Sequence, residues 1–235
     1  MKNNDFDIFK REISWFIKPT DKIEVTKTEL NFSDNFISTF PTLYKLVSQA
    51  RVLGVTLTRQ NKIINYKLLS WTDNGNLKSG WLCKFDTKET EIEILPEHQL
   101  LVDNIGGIQE SYKQLETNKE ILTDNQNFLF IKSECTKGIG GWDEYYEDMC
   151  KDYEKPRIDF KNFICFVQEA NGDVTLYDPK TKEVMLFAHD HCFENVEFLE
   201  SQPEYTFHKI NGIINFKDYA ETLAHQWLDN IVKNN

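Results

Sequence analysis

The sequence predicts an α+β arrangement of antiparallel strands and amphipathic helices, and two stretches carry that expectation. In the first, Phe163 to Val167, Val174 to Tyr177 and Val184 to Phe187 are short apolar runs separated by Asn171-Gly172-Asp173 and Asp178-Pro179-Lys180-Thr181. Asn, Gly and Asp tolerate positive φ, and Pro presets the first corner of a turn, so the runs read as three neighbouring strands. In the second, Phe216, Tyr219, Ala220, Leu223, Trp227 and Ile231 recur at helical spacing behind Asn215. Asn215 suits a cap, and Asp218 sits where a first-turn acid favours the helix dipole.

The remaining elements follow from the same periodicities. Phe6, Phe9, Ile13, Phe16 and Ile17 form a helical stripe that starts after Asn4 or Asp5 and cannot easily pass Pro19. Ile23 and Val25 alternate with polar residues like a strand, while Leu43, Leu46, Val47 and Ala50 after Pro41 suit a second helix ending before Gly54. Strands are expected at Val55–Leu57, Ile63–Trp71, Trp81–Phe85 and Ile92–Leu95, with turns at Asp73-Asn74-Gly75 and Asp86-Thr87-Lys88. A short helix follows from Glu97, with Pro96 near its first turn and Gly106-Gly107 as its stop. Asn127–Lys132 reads as a strand, and Trp142, Tyr145, Tyr146, Met149 and Tyr153 share one face of a helix limited by Pro156. There is no internal repeat and no flexible linker.

Composition narrows the function. The formal charge of -11 opposes a phosphate backbone, so direct nucleic-acid binding is not expected, whereas a basic protein is attracted by the same field. No uninterrupted apolar run reaches membrane-spanning length, and neither secretion nor membrane insertion is indicated. The five cysteines (Cys83, Cys135, Cys150, Cys165 and Cys192) are odd in number, widely spaced and without a Cys-x-x-Cys pair, which fits reduced thiols in a cytoplasmic protein. All five are expected to be structural or incidental.

From about Leu95 to Ile231 the order of motifs resembles the SUKH superfamily, which includes bacterial immunity proteins and fungal cell-wall assembly regulators of the Smi/Knr type. Leu95-Pro96, Leu100-Leu101 and Asn104-Ile105-Gly106-Gly107 are similar to its early helix and glycine turn; the runs from Phe163 to Asp190 are similar to its meander, and Phe216 to Leu223 to its closing helix. The turn Pro179-Lys180-Thr181-Lys182 lacks the glycine often found there, and the first ninety or so residues have no counterpart in the pattern. The resemblance implies a single α+β domain with helices around a curved, mainly antiparallel sheet. Residues 95–235 would be its core and residues 1–94 an elaboration of the same domain. It further implies recognition of a partner protein rather than catalysis, with toxins, often nucleases, as the partners of many bacterial relatives.

The segment from Trp142 to Glu154 holds six acids and one lysine and is the favoured partner-binding surface. Asp143, Glu144, Glu147, Asp148 and Asp152 would steer a basic toxin, with Trp142, Tyr145, Tyr146 and Tyr153 as anchors. The plainer reading packs the aromatic stripe on the sheet and leaves the acids as a solvated face; the two coexist because stripe and acids lie on different sides. A second candidate is His189-Asp190-His191-Cys192 at a strand end, which invites a small metal-dependent hydrolase but lacks a third ligand at diagnostic spacing. Gly138-Ile139-Gly140-Gly141 precedes a helix as a phosphate loop would, yet has no Gly-Lys-Ser/Thr ending and meets Asp143 and Glu144 at once. Cys150, in acidic surroundings, does not suit a nucleophile. Trp71, Trp81 and Trp227 read as core aromatics, and no cofactor is expected. A regulatory scaffold that recruits a protein through the N-terminal sheet is a third reading.

Overall fold

A computed structural model describes residues 4–72, 78–86, 90–112, 126–190, 195–229 and 231. Among these residues six α-helices surround one open, curved sheet of twelve antiparallel strands, an α+β fold. The chain begins with α1 (Asn4–Glu12), β1 (Lys22–Lys27), α2 (Asp34–Thr39) and α3 (Pro41–Val47). A first meander follows as β2 (Arg51–Arg59), β3 (Lys62–Thr72) and β4 (Lys78–Lys84), then α4 (Pro96–Ile105), β5 (Gly107–Tyr112), β6 (Gln126–Leu129) and the short β7 (Thr136–Lys137). Helix α5 (Asp143–Asp152) precedes the second meander, β8 (Ile164–Glu169), β9 (Val174–Tyr177) and β10 (Val184–Phe187). The chain closes with β11 (Val196–Phe198), β12 (Phe207–Ile210) and α6 (Phe216–Leu228).

In space the strands run β1-β2-β3-β4-β5-β6-β8-β9-β10-β12-β11, with β7 paired to β8 off this path. Strands from before and after residue 95 therefore share one sheet, joined where β4 pairs with β5. Register shifts at Leu82/Cys83, Gln126/Phe128 and Cys165/Val167 interrupt the regular ladder. One face is covered by α2, α3, α4 and α6 around Trp71, Trp81, Phe166, Phe216 and Trp227. On the opposite face α1 covers β2 to β4, and α5 covers β8 to β10.

The C-terminal helix begins where the pattern places it and ends at Leu228, so Ile231 packs on the core from beyond the helix. The Asn215 side chain accepts from the Asp218 N–H at 3.1 Å, while the Asp218 carboxylate accepts from the Asn215 N–H at 3.3 Å, a reciprocal capping box. Trp71, Trp81 and Trp227 meet in one cluster with ring centroids 4.9 to 5.5 Å apart, and the Trp71 indole donates to the Leu46 carbonyl. At the β9–β10 turn Lys182 adopts φ 65°, taking the left-handed position that a glycine ordinarily fills.

A polar chain runs through the core beneath α4. The Leu95 N–H donates to the Tyr177 hydroxyl at 3.2 Å, that hydroxyl meets His98 Nδ1 at 3.3 Å, and His98 Nε2 meets the Phe130 carbonyl at 2.9 Å. A carbonyl only accepts, so the proton sits on Nε2 and Nδ1 accepts from Tyr177. Every member is satisfied with a neutral imidazole, and burial drives the His98 pKa down to about 4.

Several expectations are corrected. Ile92–Leu95 is irregular rather than a strand, because Ile94 and Leu95 turn into the core and the Leu95 N–H is committed to Tyr177. Helix α1 stops at Glu12, and Phe16 and Ile17 reach the α1 cluster from the turns beyond it. Strand β6 ends at Leu129, and Lys132–Glu134 forms a 3-10 turn instead of prolonging it. The expected turns at Asp73-Asn74-Gly75 and Thr87-Lys88 lie outside the described residues.

Candidate functional site: an acidic helix on an aromatic lock

Helix α5 carries acids on its outside and aromatic groups beneath. Asp143, Glu144, Glu147, Asp148 and Asp152 are all exposed; Asp143 and Glu144 occupy the first turn, where negative charge is favoured. Glu147 is paired with Arg157 at 2.8 Å, both at the surface, an ion pair of small energetic weight.

The underside of α5 is fixed by three aromatic residues. Tyr146 is completely buried, and its hydroxyl accepts from the Ile158 N–H at 2.8 Å and donates to Gln202 Oε1. It holds the helix from below, and a partner has no access to it, which removes Tyr146 from the expected contact set. The Tyr145 hydroxyl lies 3.4 Å from the His189 carbonyl and 3.3 Å from that of Tyr205. Trp142, half-buried at the helix entrance, donates its indole N–H to the Gly172 carbonyl at 2.8 Å and stacks on the His189 ring at 3.9 Å. Tyr153 lies just past the end of α5 and is 54% exposed, so the buried part of the stripe ends one turn earlier than its spacing suggests.

His189 therefore belongs to the same place as the acidic helix. Its Nδ1 lies 2.9 Å from Oδ1 of the fully buried Asp173, which also accepts the His189 backbone N–H at 3.2 Å. The other Asp173 oxygen accepts from the Asn171 side-chain amide at 2.9 Å, and His189 Nε2 is 3.7 Å from Asp190 Oδ2. Sequence reasoning treated Asn171 to Asp173 as a turn and missed Asp173 as the partner of His189. The β9–β10 register was the available signal: Phe187 pairs with Val174, so two residues further on His189 reaches the Gly172–Asp173 corner.

Asp173, His189 and Asp190 each offer a donor atom within 4.8 Å of the others. Asp173 Oδ1 accepts from His189 Nδ1 and from the His189 backbone N–H, while Oδ2 accepts one hydrogen bond, from Asn171, and keeps a lone pair, so Asp173, His189 and Asp190 together offer the minimum of three ligands of a catalytic zinc site. An imidazole held through Nδ1 by a buried carboxylate is an oriented group, and here the orientation presents its ring face to Trp142. His191 and Cys192 lie outside the described residues.

The glycine segment at 138–141 delivers the chain to Trp142, and Asp143 and Glu144 fill the turn that a phosphate would need. Cys83, Cys135, Cys150 and Cys165 are buried free thiols. Burial pushes the Cys165 thiol up to about 12, far from a reactive thiolate.

No protein-family model, curated protein or solved structure matches this chain. Among the described residues no helix is long and apolar enough to cross a membrane.

Proposed function

We propose that the chain is a SUKH-like protein-binding module: an intracellular immunity protein that neutralises a basic toxin, such as a nuclease, by stoichiometric binding. The observation that carries this reading is the α5 surface, five exposed carboxylates on a helix whose underside is locked by Trp142, Tyr145 and Tyr146. An acidic ridge whose backbone is held from below lowers the ordering cost of binding, and its field steers a cationic partner at rates that fall with salt. Trp142 and Tyr145 offer partial aromatic surface and Tyr153 a more open one. Inhibition would follow from occlusion of the toxin's phosphate-binding groove by these acids. Replacing Asp143, Glu147 and Asp148 together by Lys tests it: binding to the basic partner weakens at least tenfold at low salt, and its salt dependence flattens. Unchanged binding rejects α5 as the interface.

A second reading, a small metal-dependent hydrolase, draws on the proximity of Asp173, His189 and Asp190. Stoichiometric zinc in protein purified without a histidine tag favours it; metal-free protein that binds its partner at full strength excludes it.

A further inference from the structure

Beside His189, two carboxylates are drawn together around a neutral donor. The side-chain nitrogen of Asn171 lies 2.9 Å from Asp173 Oδ2 and 3.4 Å from Asp190 Oδ1. It marks a point that positive charge favours, and a small cation there meets two carboxylates where the amide offers only dipolar N–H groups. Asp173 Oδ1 is committed twice to His189, so Oδ2 is the oxygen left for such an ion.

The imidazole completes the set. A carboxylate only accepts, so Nδ1 holds the proton shared with Asp173, and in the neutral ring Nε2 carries the lone pair. Nε2 lies 3.7 Å from Asp190 Oδ2, close to the separation of about 3.4 Å between two ligands of one tetrahedral zinc ion. A donor atom from each of Asp173, His189 and Asp190 lies within 4.8 Å of the other two. Access is from the surface, because Asn171 and Asp190 are exposed and His189 is partly so, while buried Asp173 forms the floor. The Asn171 side chain swings outward to admit the ion, giving up the Asp173 N–H that it holds at 3.1 Å. One imidazole with two carboxylates suits zinc better than magnesium or calcium, which favour oxygen ligands.

We propose that Asp173, His189 and Asp190 bind one zinc-class divalent ion, and that this ion clamps the end of β10 to the entrance of α5. The His189 and Trp142 rings stack at 3.9 Å, so an ion that fixes the imidazole also fixes the indole. The Trp142 carbonyl in turn accepts the Tyr146 N–H in the first turn of α5. The ion acts here as a structural clamp, with no hydrolysis required. Its consequence for partner binding rests on the α5 reading, whereas the clamp itself does not.

The test is zinc titration of the untagged, chelator-stripped full chain labelled with ¹⁵N. One equivalent should saturate shifts at the Trp142 indole N–H, slow hydrogen exchange at the Tyr146 amide severalfold and raise Tm by several degrees, and magnesium at the same concentration should do none of this. Cobalt(II) bound to the wild type should give a visible absorption band that zinc abolishes. Asp190→Asn, which alters an exposed side chain, should weaken zinc roughly tenfold or more while keeping the Tm of the metal-free protein. The proposal is overturned if zinc does not saturate at one equivalent, or if it binds without moving the Trp142 indole signal and the Tyr146 exchange. It is overturned equally if Asp190→Asn binds zinc as tightly as wild type, or if Cys192→Ser alone removes binding. No partner takes part in these measurements, so failure of the α5 reading would leave them unchanged.

Discussion

The Trp142 ring lies on the His189 ring with centroids 3.9 Å apart and planes inclined by 23°, joining the entrance of α5 to the end of β10. Residues 47 positions apart in the chain thus close one lock: Asp173 orients His189 from below, and the indole N–H reaches the Gly172 carbonyl from above. The acids of α5 sit on that lock, so its integrity governs how rigidly they are displayed.

Replacing Trp142 by Ala removes the stack and the Gly172 hydrogen bond together. For a half-buried indole a loss of about 2 kcal/mol is expected in urea unfolding. Gly172→Ala attacks the same lock from the other side: Gly172 has φ 98°, and an added Cβ would lie 2.9 Å from Trp142 Cζ2. It should destabilise by more than about 1 kcal/mol and disturb the near-ultraviolet signal of the tryptophan.

Removal of the Asn215 cap by Ala should cost about 1 kcal/mol, read as a lowered urea midpoint with an unchanged slope. The Asn215 cap of α6 was legible ahead of its apolar stripe, whereas Asp218 read only as a favourable first-turn charge and its return bond to the Asn215 N–H came from the structure. The second meander was legible for a similar reason, its turn residues and apolar runs lying next to each other in the chain. What stayed hidden depends on distant partners. Gly107 read only as a helix stop, yet it opens β5, where a Cβ would lie 2.5 Å from the Ile131 backbone. Ile92–Leu95 has strand composition, and only the Tyr177 hydroxyl, 82 residues away, explains why Leu95 leaves the ladder. In the candidate site the acids and the aromatic stripe could be read directly, but the burial of Tyr146 and the Asp173–His189 pair required the fold.

His98 makes stability fall in acid. Its folded pKa of about 4 lies below the ordinary histidine value of 6.5, so the unfolded chain takes up the proton first. The contribution is complete above pH 6.5 and is lost as pH falls toward 4, amounting to about 3 kcal/mol. Urea unfolding of wild type and His98→Phe at intervals between pH 7 and pH 4 checks this: the variant is less stable at pH 7, but the gap narrows in acid.

Glu110 acts in the opposite direction. Burial raises its carboxyl to about 7, against a hydrogen bond from Trp15 that lowers it. The folded state holds this proton more tightly, so its contribution is present below pH 4.5 and is lost as pH rises through 7. Partial exposure keeps the effect to about 1 kcal/mol. Glu110→Gln should therefore gain stability relative to wild type as pH rises from 5 to 8 in matched urea titrations.

The central claim is that α5 presents its acids to a basic partner, and affinity capture from the native cells tests it most directly, with tagged wild type and the Asp143→Lys, Glu147→Lys, Asp148→Lys variant at low and high salt. One basic protein held stoichiometrically by wild type, released by salt and lost from the variant, is the expected result. The same protein held equally by both, or retained at high salt by either, would contradict the account.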